Sequence, residues 1–244
     1  MKKLIVCILS LVLFITVFSV SAYAADSITF RDIKWLDSYT NVIAVCDKIE
    51  GIKPAWIYDL SENIRITSWD DTIEHMLDPV PYAVDNGGVV RRYENAPVAG
   101  YNADLELSFI YPIENGKVNN NTNSAQFYKA EYEIKDLEDF RSAYQDLQAK
   151  LESLYGPSED YTYTNILSEV PSKEGRIWKA QDGSLIWMYL DYNMVSGKYY
   201  GIYIVYAAPN TNQMIIDLDA FYRQSASDRE AENRNENSSN YGGL

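Results

Sequence analysis

Residues 125–157, AQFYKAEYEIKDLEDFRSAYQDLQAKLESLYGP, decide the fold class because a strand pattern runs directly into a helix pattern. Over residues 125–134, two sets of side chains alternate, which predicts a half-buried strand. Over residues 137–155, apolar side chains recur at helical spacing, with Asp136 expected as the cap and a Gly-Pro pair as the stop. The apolar stripe of this helix comprises Phe140, Ala143, Tyr144, Leu147, Leu151 and Leu154.

Similar patterns extend in both directions along the chain. Apolar residues at helical spacing predict a helix between Asp37 and Gly51, and residues 69–77 predict a second, short helix. Asp182-Gly183 is typical of a two-residue hairpin turn. Residues 214–222 fit either a helix or a strand. Further strands are predicted at 89–93, 98–101, 104–111, 161–166, 175–180, 184–192 and 199–208.

The order of these elements predicts an α+β fold of two tandem units. Each unit would contain a helix and about three antiparallel strands, with the helices on one face of the sheet and the other face open. The first unit is expected at 25–135, with an insertion at about 52–88, and the second at 136–222. Residues 223–244 are rich in Ser, Asn, Glu and Arg, and we expect a disordered tail.

The first 24 residues have the three parts of a bacterial secretory signal peptide. Two lysines precede an apolar run, Leu4–Val20, and Ala22-Tyr23-Ala24 supplies small residues at a cleavage site. The alternative is a retained anchor, but the run is at the short end of the ~17–25 residues that span a bilayer. We therefore expect a secreted or extracytoplasmic protein without stable membrane insertion after cleavage.

The acidic balance of the chain argues against nucleic-acid binding. The sequence has 35 acidic and 21 basic residues, a formal net charge of −14, and loss of the two leader lysines would make it more negative. Such a charge repels phosphate backbones and anionic lipid heads.

Cysteine usage limits the chemistry further. Cys7 lies in the leader, so a mature chain would contain Cys46 alone, without an internal disulfide or a multi-cysteine metal site. Cys46 is expected to be a small buried residue on a helix face, and pairing with a partner chain is the alternative.

No set of residues matches the roles of an active site. His75 is the only histidine, and it lies on a short polar helix with no nucleophile signature nearby. An acid pair drawn from residues such as Asp70, Asp71, Asp182 and Asp191 could in principle hydrolyse glycosides, but many acids make such pairs unspecific. Asp182-Gly183-Ser184 is better explained by a turn than by calcium. We expect no metal and no cofactor.

The most suggestive pattern is aromatic. In strands 184–192 and 199–208, alternation places aliphatic side chains on one face and Trp187, Tyr189, Tyr199 and Tyr203 on the other. The corresponding face of the first half carries acidic residues. Exposed Trp and Tyr often dominate binding patches. If the sheet is instead covered on both sides, these rings belong to the core. The acidic residues are Asp104, Glu106, Glu131 and Glu133.

Several short motifs resemble an uncharacterised family of exported proteins from Gram-positive bacteria. They are Phe30-x-x-Ile33-x-Trp35-x-x-Ser38-Tyr39-x-x-Val42, the helix end Leu154-Tyr155-Gly156-Pro157, and the hairpin Trp178…Asp182-Gly183-Ser184. That family is similar in plan to the β-lactamase-inhibitor-protein fold, in which tandem units form a concave sheet that grips partner proteins. The resemblance implies a fold for residues 28–208 but no catalytic residues, and inhibition of β-lactamase does not follow from it.

These observations lead to a hypothesis of a non-catalytic, extracytoplasmic interaction module. Its open sheet would bind an extracellular protein, a peptide or a cell-envelope component through Trp187, Tyr189, Tyr199 and Tyr203, with Glu106 and Glu131 selecting a basic partner. The alternatives are a carbohydrate or cell-wall binder and a secreted hydrolase with an acid pair. The sequence leaves the oligomeric state open.

Overall fold

The computed structural model describes residues 25–59, 87–164, 171–193, 198–211, 213–218, 220–221 and 224. The predicted signal peptide, the short helix at 69–77 with His75, and nearly all of the predicted tail lie outside the described residues. Within the described part of the chain, no helix has the length and apolar character needed to cross a membrane.

The fold is built on antiparallel strands, which confirms the predicted α+β class. In chain order they are β1 (Lys53–Asp59), β2 (Gly88–Val98), β3 (Tyr101–Ile110), β4 (Ile113–Glu114), β5 (Lys117–Val118), β6 (Gln126–Ile134), β7 (Glu159–Thr164), β8 (Pro171–Lys179), β9 (Leu185–Asn193) and β10 (Lys198–Ala207). Eight strands form one sheet in the order β1-β2-β3-β6-β10-β9-β8-β7, and β4 and β5 form a separate hairpin.

Two strand boundaries differ from the sequence prediction. The predicted strands 89–93 and 98–101 are one long strand, β2, followed by a turn at Ala99 and Gly100, both of which have positive φ. Because β2 continues past a bulge between Tyr93 and Ala96, alternation alone does not mark its end. Strand β1 lies within 52–88, the range predicted as an insertion.

Two helices are capped by short polar side chains. Helix α1 (Tyr39–Cys46) follows Ser38, whose hydroxyl accepts a hydrogen bond from the Asn41 amide. Helix α2 (Phe140–Tyr155) follows Asp139, whose carboxylate accepts from the amides of the second and third residues after it. The prediction of Asp136 as the cap is therefore wrong, because that residue lies in the preceding turn with φ 55°.

The main core lies between the two helices and one face of the sheet. Val42 and Cys46 of α1 and three residues of α2 join a single cluster with aliphatic and aromatic side chains from seven strands' shared face. Burial raises the pKa of the Cys46 thiol to about 12. Cys46 is thus a small core residue in this fold. The α2 residues are Ala143, Leu147 and Leu151.

The chain returns to the other side of the sheet after β10. Residues 213–218 are helical, which decides between the helix and strand interpretations of this segment. Leu218 is buried against Ile110, Tyr128 and Ala208, with Met214 packed alongside. This segment therefore covers one end of the sheet face that the two helices leave uncovered.

Candidate ligand-binding face

Strand alternation directs a second set of side chains to the side of the sheet opposite α1 and α2, which we call the outer face. Three rows cross it, because paired residues on neighbouring strands share a face. One row contains Asp104, Glu133, Tyr203 and Tyr189; the next contains Arg92, Glu106, Glu131, Val205 and Trp187; the third contains Val90, Ser108, Lys129 and Ala207.

Aromatic rings cover the half of the outer face formed by β9 and β10. The rings of Tyr203 and Tyr189 are stacked, with centroids 4.9 Å apart and planes 7° apart. Tyr189 is followed by Trp187 at 4.3 Å, and Tyr161 of β7 contacts Trp187 edge-on at 5.6 Å. These four residues form a continuous array, which we call the aromatic ladder.

Two glycines allow the ladder to lie flat on the sheet. A Cβ at Gly175 would come within 2.8 Å of Trp187 Nε1 and 2.8 Å of the Met188 carbonyl oxygen. A Cβ at Gly201 would come within 3.3 Å of the Tyr203 ring. The absence of side chains at these positions lets both rings rest directly on the backbone.

The flat arrangement buries most of the ladder. Trp187 is 3% exposed and Tyr189 is 7% exposed, whereas Tyr203 is partly buried. The expectation that Trp187 and Tyr189 are exposed for contact is therefore wrong. Their rings pack on Val205 and on one another as a second, smaller core.

Tyr199 does not join the ladder. A bulge between Tyr199 and Gly201 inserts one residue into β10 and reverses the facing of the residues before it. Tyr199 consequently packs at the main core, where its ring lies 6.2 Å from Phe140 of α2 and its hydroxyl accepts a hydrogen bond from Arg141. The sequence prediction that placed it with Trp187 and Tyr203 is wrong for this reason.

Charged side chains cover the other half of the outer face, with Arg92 at the centre of one group. Its Nη2 atom lies 2.8 Å from Asp104 Oδ2 and 2.9 Å from Glu133 Oε2. Lys135 adds a contact of 2.7 Å to Glu133. Burial opposes ionisation of Glu133, but hydrogen bonds from Lys135 and Tyr203 lower the pKa of its carboxyl.

A second charged group surrounds the buried Lys129. Its ammonium lies 3.2 Å from Glu131 Oε2 and faces Glu106 across the strands. Burial disfavours the charged form, but the attraction of Glu131 and Glu106 outweighs it and raises the pKa of Lys129. Burial raises the pKa of Glu106, Lys129 opposes that shift, and Glu131 adds to it. Lys129 is thus held as a cation.

This chemistry favours binding over catalysis. A lysine that acts as a base next to a serine must lose its proton, yet Lys129 beside Ser108 is held protonated. Glu133 is engaged by Arg92, Lys135 and Tyr203 and is therefore fixed in place. Among the described residues, no three His, Cys, Asp or Glu side chains come together as a group that could hold a metal.

The structure brings Glu106, Glu131, Tyr203, Tyr189 and Trp187 onto one face, as alternation predicts. Sequence reasoning missed Arg92, Ser108 and Lys129 as members of the same face. The alternation of β3 and β6 already placed Ser108 and Lys129 there. Arg92 required the register between β2 and β3, which no local pattern shows.

No protein-family model, no curated protein and no solved structure matches this chain.

Proposed function

We propose that this protein is a non-catalytic binding module whose outer face contacts a basic segment of a partner protein or peptide. The observation that carries the proposal is a group of four partly exposed carboxylates on two neighbouring strands. The side chains of Glu106 and Glu131 are 22% and 23% exposed and lie directly opposite each other. Like charges in such pairs destabilise a sheet, so a compensating role in binding is a physical reason to keep them.

The charge of the whole chain supports the same kind of partner. A net charge of −14 attracts basic proteins over the Debye length, about 8 Å at physiological ionic strength. The carboxylates of the outer face then supply local complementarity. Complementary charge of this kind increases association rates and excludes acidic competitors.

The aromatic ladder has a supporting role in this proposal. Trp187 and Tyr189 are buried, so their rings hold Tyr203 in place beside Glu133. Tyr203 is the ladder residue that meets the charged half. Stacking of sugars on Trp187 and Tyr189 has no support from their burial, and a carbohydrate ligand becomes an outcome of the binding test below.

We further propose that the two halves of the chain are tandem units exported through the predicted leader. Each half contains one described helix and four strands of the large sheet, and the last strands of the halves, β6 and β10, pair at its centre. That plan is similar to the one implied by the resemblance to the β-lactamase-inhibitor-protein fold.

Capture on an immobilised chain tests the proposed function. The chain without the predicted leader would be exposed to culture medium and envelope extract at low and high salt, and retained material identified by mass spectrometry. The test variant is Glu106→Gln/Glu131→Gln. The matched control is Glu50→Gln/Glu138→Gln, which makes the same charge change at exposed positions outside the outer face.

The expected result is a basic protein that the control retains, that the test variant loses and that high salt releases. Equal retention by both variants would show that the outer face is not the contact surface. Retention of a glycan at all salt concentrations would favour the carbohydrate alternative.

A further inference from the structure

Four polar residues form a square on the outer face where β3 and β6 pair. Glu106 lies opposite Glu131, and Ser108 lies opposite Lys129, so all four side chains point to the same side of the sheet. The two glutamates form the partly exposed end of the square. Ser108 is only 1% exposed and forms the buried end with Lys129.

The hydroxyl of Ser108 has no hydrogen-bond partner among the described residues. Its Oγ atom is fully buried beside Lys129, whose contact with Glu131 is the hydrogen bond that uses the ammonium within the square. Buried polar atoms are almost always satisfied, and one that is not points to a missing partner. The two residues that flank this row, Val90 and Ala207, are apolar and cannot supply that partner.

The charges of the face also leave a deficit of one cation. Arg92, Lys129 and Lys135 contact the four carboxylates, so three positive charges face four negative ones. Glu106 receives the weakest share, because its contact with Arg92 is 3.9 Å long and the pKa of its carboxyl is raised by burial. One added positive charge at the square would balance the face.

We propose that this square is the binding position for one primary ammonium group of the partner, either a lysine side chain or an N-terminal amine. This inference rests on the proposed function, since it names the chemical group that the outer face recognises. An ammonium has three N–H donors, and the square offers three acceptors: the carboxylates of Glu106 and Glu131 and the hydroxyl of Ser108.

Other ligand classes fit the square less well. An anion would face two carboxylates, and a metal ion would lie next to the ammonium of Lys129. A guanidinium is a planar fork suited to a single carboxylate in a wide site, whereas an ammonium is compact and donates in three directions. The convergence of three acceptors around one position therefore selects an ammonium.

Calorimetry with two peptides of equal charge tests this inference. The probes are an oligolysine and an oligoarginine of eight residues each, titrated into the full chain and into the Ser108→Ala variant. We expect the oligolysine to bind the wild-type chain more tightly. Ser108→Ala should weaken oligolysine binding about fivefold, the effect of one lost hydrogen bond, and leave oligoarginine binding unchanged.

A second measurement on the wild-type chain covers the case in which the variant does not fold. The carboxyl carbon of Glu106, observed by NMR, should shift on addition of the oligolysine and not on addition of the oligoarginine. Equal binding of both peptides, with no shift at Glu106, would overturn the ammonium site while leaving a basic partner in place. Failure of both peptides to bind would overturn the proposed function together with this inference.

Discussion

The hydroxyl of Tyr203 donates a 2.5 Å hydrogen bond to Glu133 Oε1, and this bond joins the aromatic ladder to the charged half of the outer face. The two residues are paired across β6 and β10, the central strands of the sheet. Burial and the neighbouring carboxylate raise the pKa of Tyr203, so it remains a donor throughout the physiological range. The position of one half of the face therefore depends on the other.

Removal of this hydrogen bond should destabilise the protein. Tyr203→Phe keeps the ring stacked on Tyr189 but removes the donor to a carboxylate, and such hydrogen bonds contribute about 1.5–3 kcal/mol. We expect a loss of free energy of unfolding in that range, measured by urea denaturation. The control is Tyr101→Phe, whose hydrogen bond to Asp146 is exposed and should contribute much less. Equal effects of the two substitutions would show that the Tyr203 bond has no special role.

The buried charge of Lys129 should be costly to remove by itself. Lys129→Met leaves Glu131 and Glu106 facing each other without their shared cation, and breaking a buried ion pair costs about 3–5 kcal/mol. Lys129→Met/Glu131→Leu removes both charges and should recover most of this loss. Urea denaturation of the single and double variants gives the coupling energy. A double variant as unstable as Lys129→Met would contradict the pairing.

Glu106 and Glu133 should give stability opposite dependences on pH. The pKa of Glu106 is raised in the folded state, so its ionisation opposes folding as pH rises above about 4.3, the ordinary glutamate value. The pKa of Glu133 is lowered, so its contribution is present above that pH and is lost as pH falls through its folded value. The groups that face Glu106 are Asp104 on its own strand, Arg92 on β2, and Lys129, Glu131 and Glu133 on β6.

Glutamine substitutions separate these two contributions. Glu106→Gln should raise the free energy of unfolding at pH 7, with the advantage disappearing below about pH 4. Glu133→Gln should lower it at pH 7 and have little effect in acid. Urea denaturation at a series of pH values measures both. Parallel pH profiles for the two variants would contradict the assigned directions.

The thiol of Cys46 should react only when the protein unfolds. It is fully buried in the main core, and burial raises its pKa to about 12, so the reactive thiolate is scarce in the native state. A chain that begins after the predicted leader should show almost no reaction with a chromogenic disulfide reagent until denaturant is added. Rapid labelling of the native chain would show that Cys46 is accessible.

Periodicity predicted the elements of this fold better than their ends. Alternation along β3 and β6 is unbroken over Asp104–Leu107 and Ala130–Ile134, so the facing of Glu106 and Glu131 followed directly from the sequence. The facing of Tyr199 did not, because the bulge before Gly201 shifts the alternation by one residue. A bulge is fixed by tertiary contacts and leaves no local pattern apart from a glycine.

The burial of Trp187 also lay beyond the sequence. Its exposure depends on Gly175, which lies on the neighbouring strand β8 and allows the indole to lie flat. Alternation gives the side of the sheet but not the tilt of a ring or its cross-strand neighbour. The same limit applies to Arg92, whose role at Asp104 and Glu133 follows from register between distant strands.

Gly175→Ala should show how far the ladder depends on its contact with the backbone. The new methyl group would meet Trp187 Nε1 and the Met188 carbonyl oxygen at 2.8 Å, and the carbonyl cannot move without disturbing the pairing of β8 and β9. Overpacking of this kind costs about 1–3 kcal/mol. We expect a loss of that size in urea denaturation, together with a shifted indole N–H signal of Trp187 in NMR spectra.

Two further variants distinguish strain at the ladder from strain in the strand pair. Gly201→Ala, with its closest contacts at 3.3 Å, should be milder and should shift the Tyr203 ring signals rather than the indole. Trp187→Leu/Gly175→Ala should regain part of the loss, since the indole contact is removed while the Met188 contact stays. If Gly175→Ala is as stable as the wild type and its indole signal is unchanged, the ring does not rest on the backbone at Gly175. Tyr203 would then be held beside Glu133 by its own hydrogen bond rather than by the ladder.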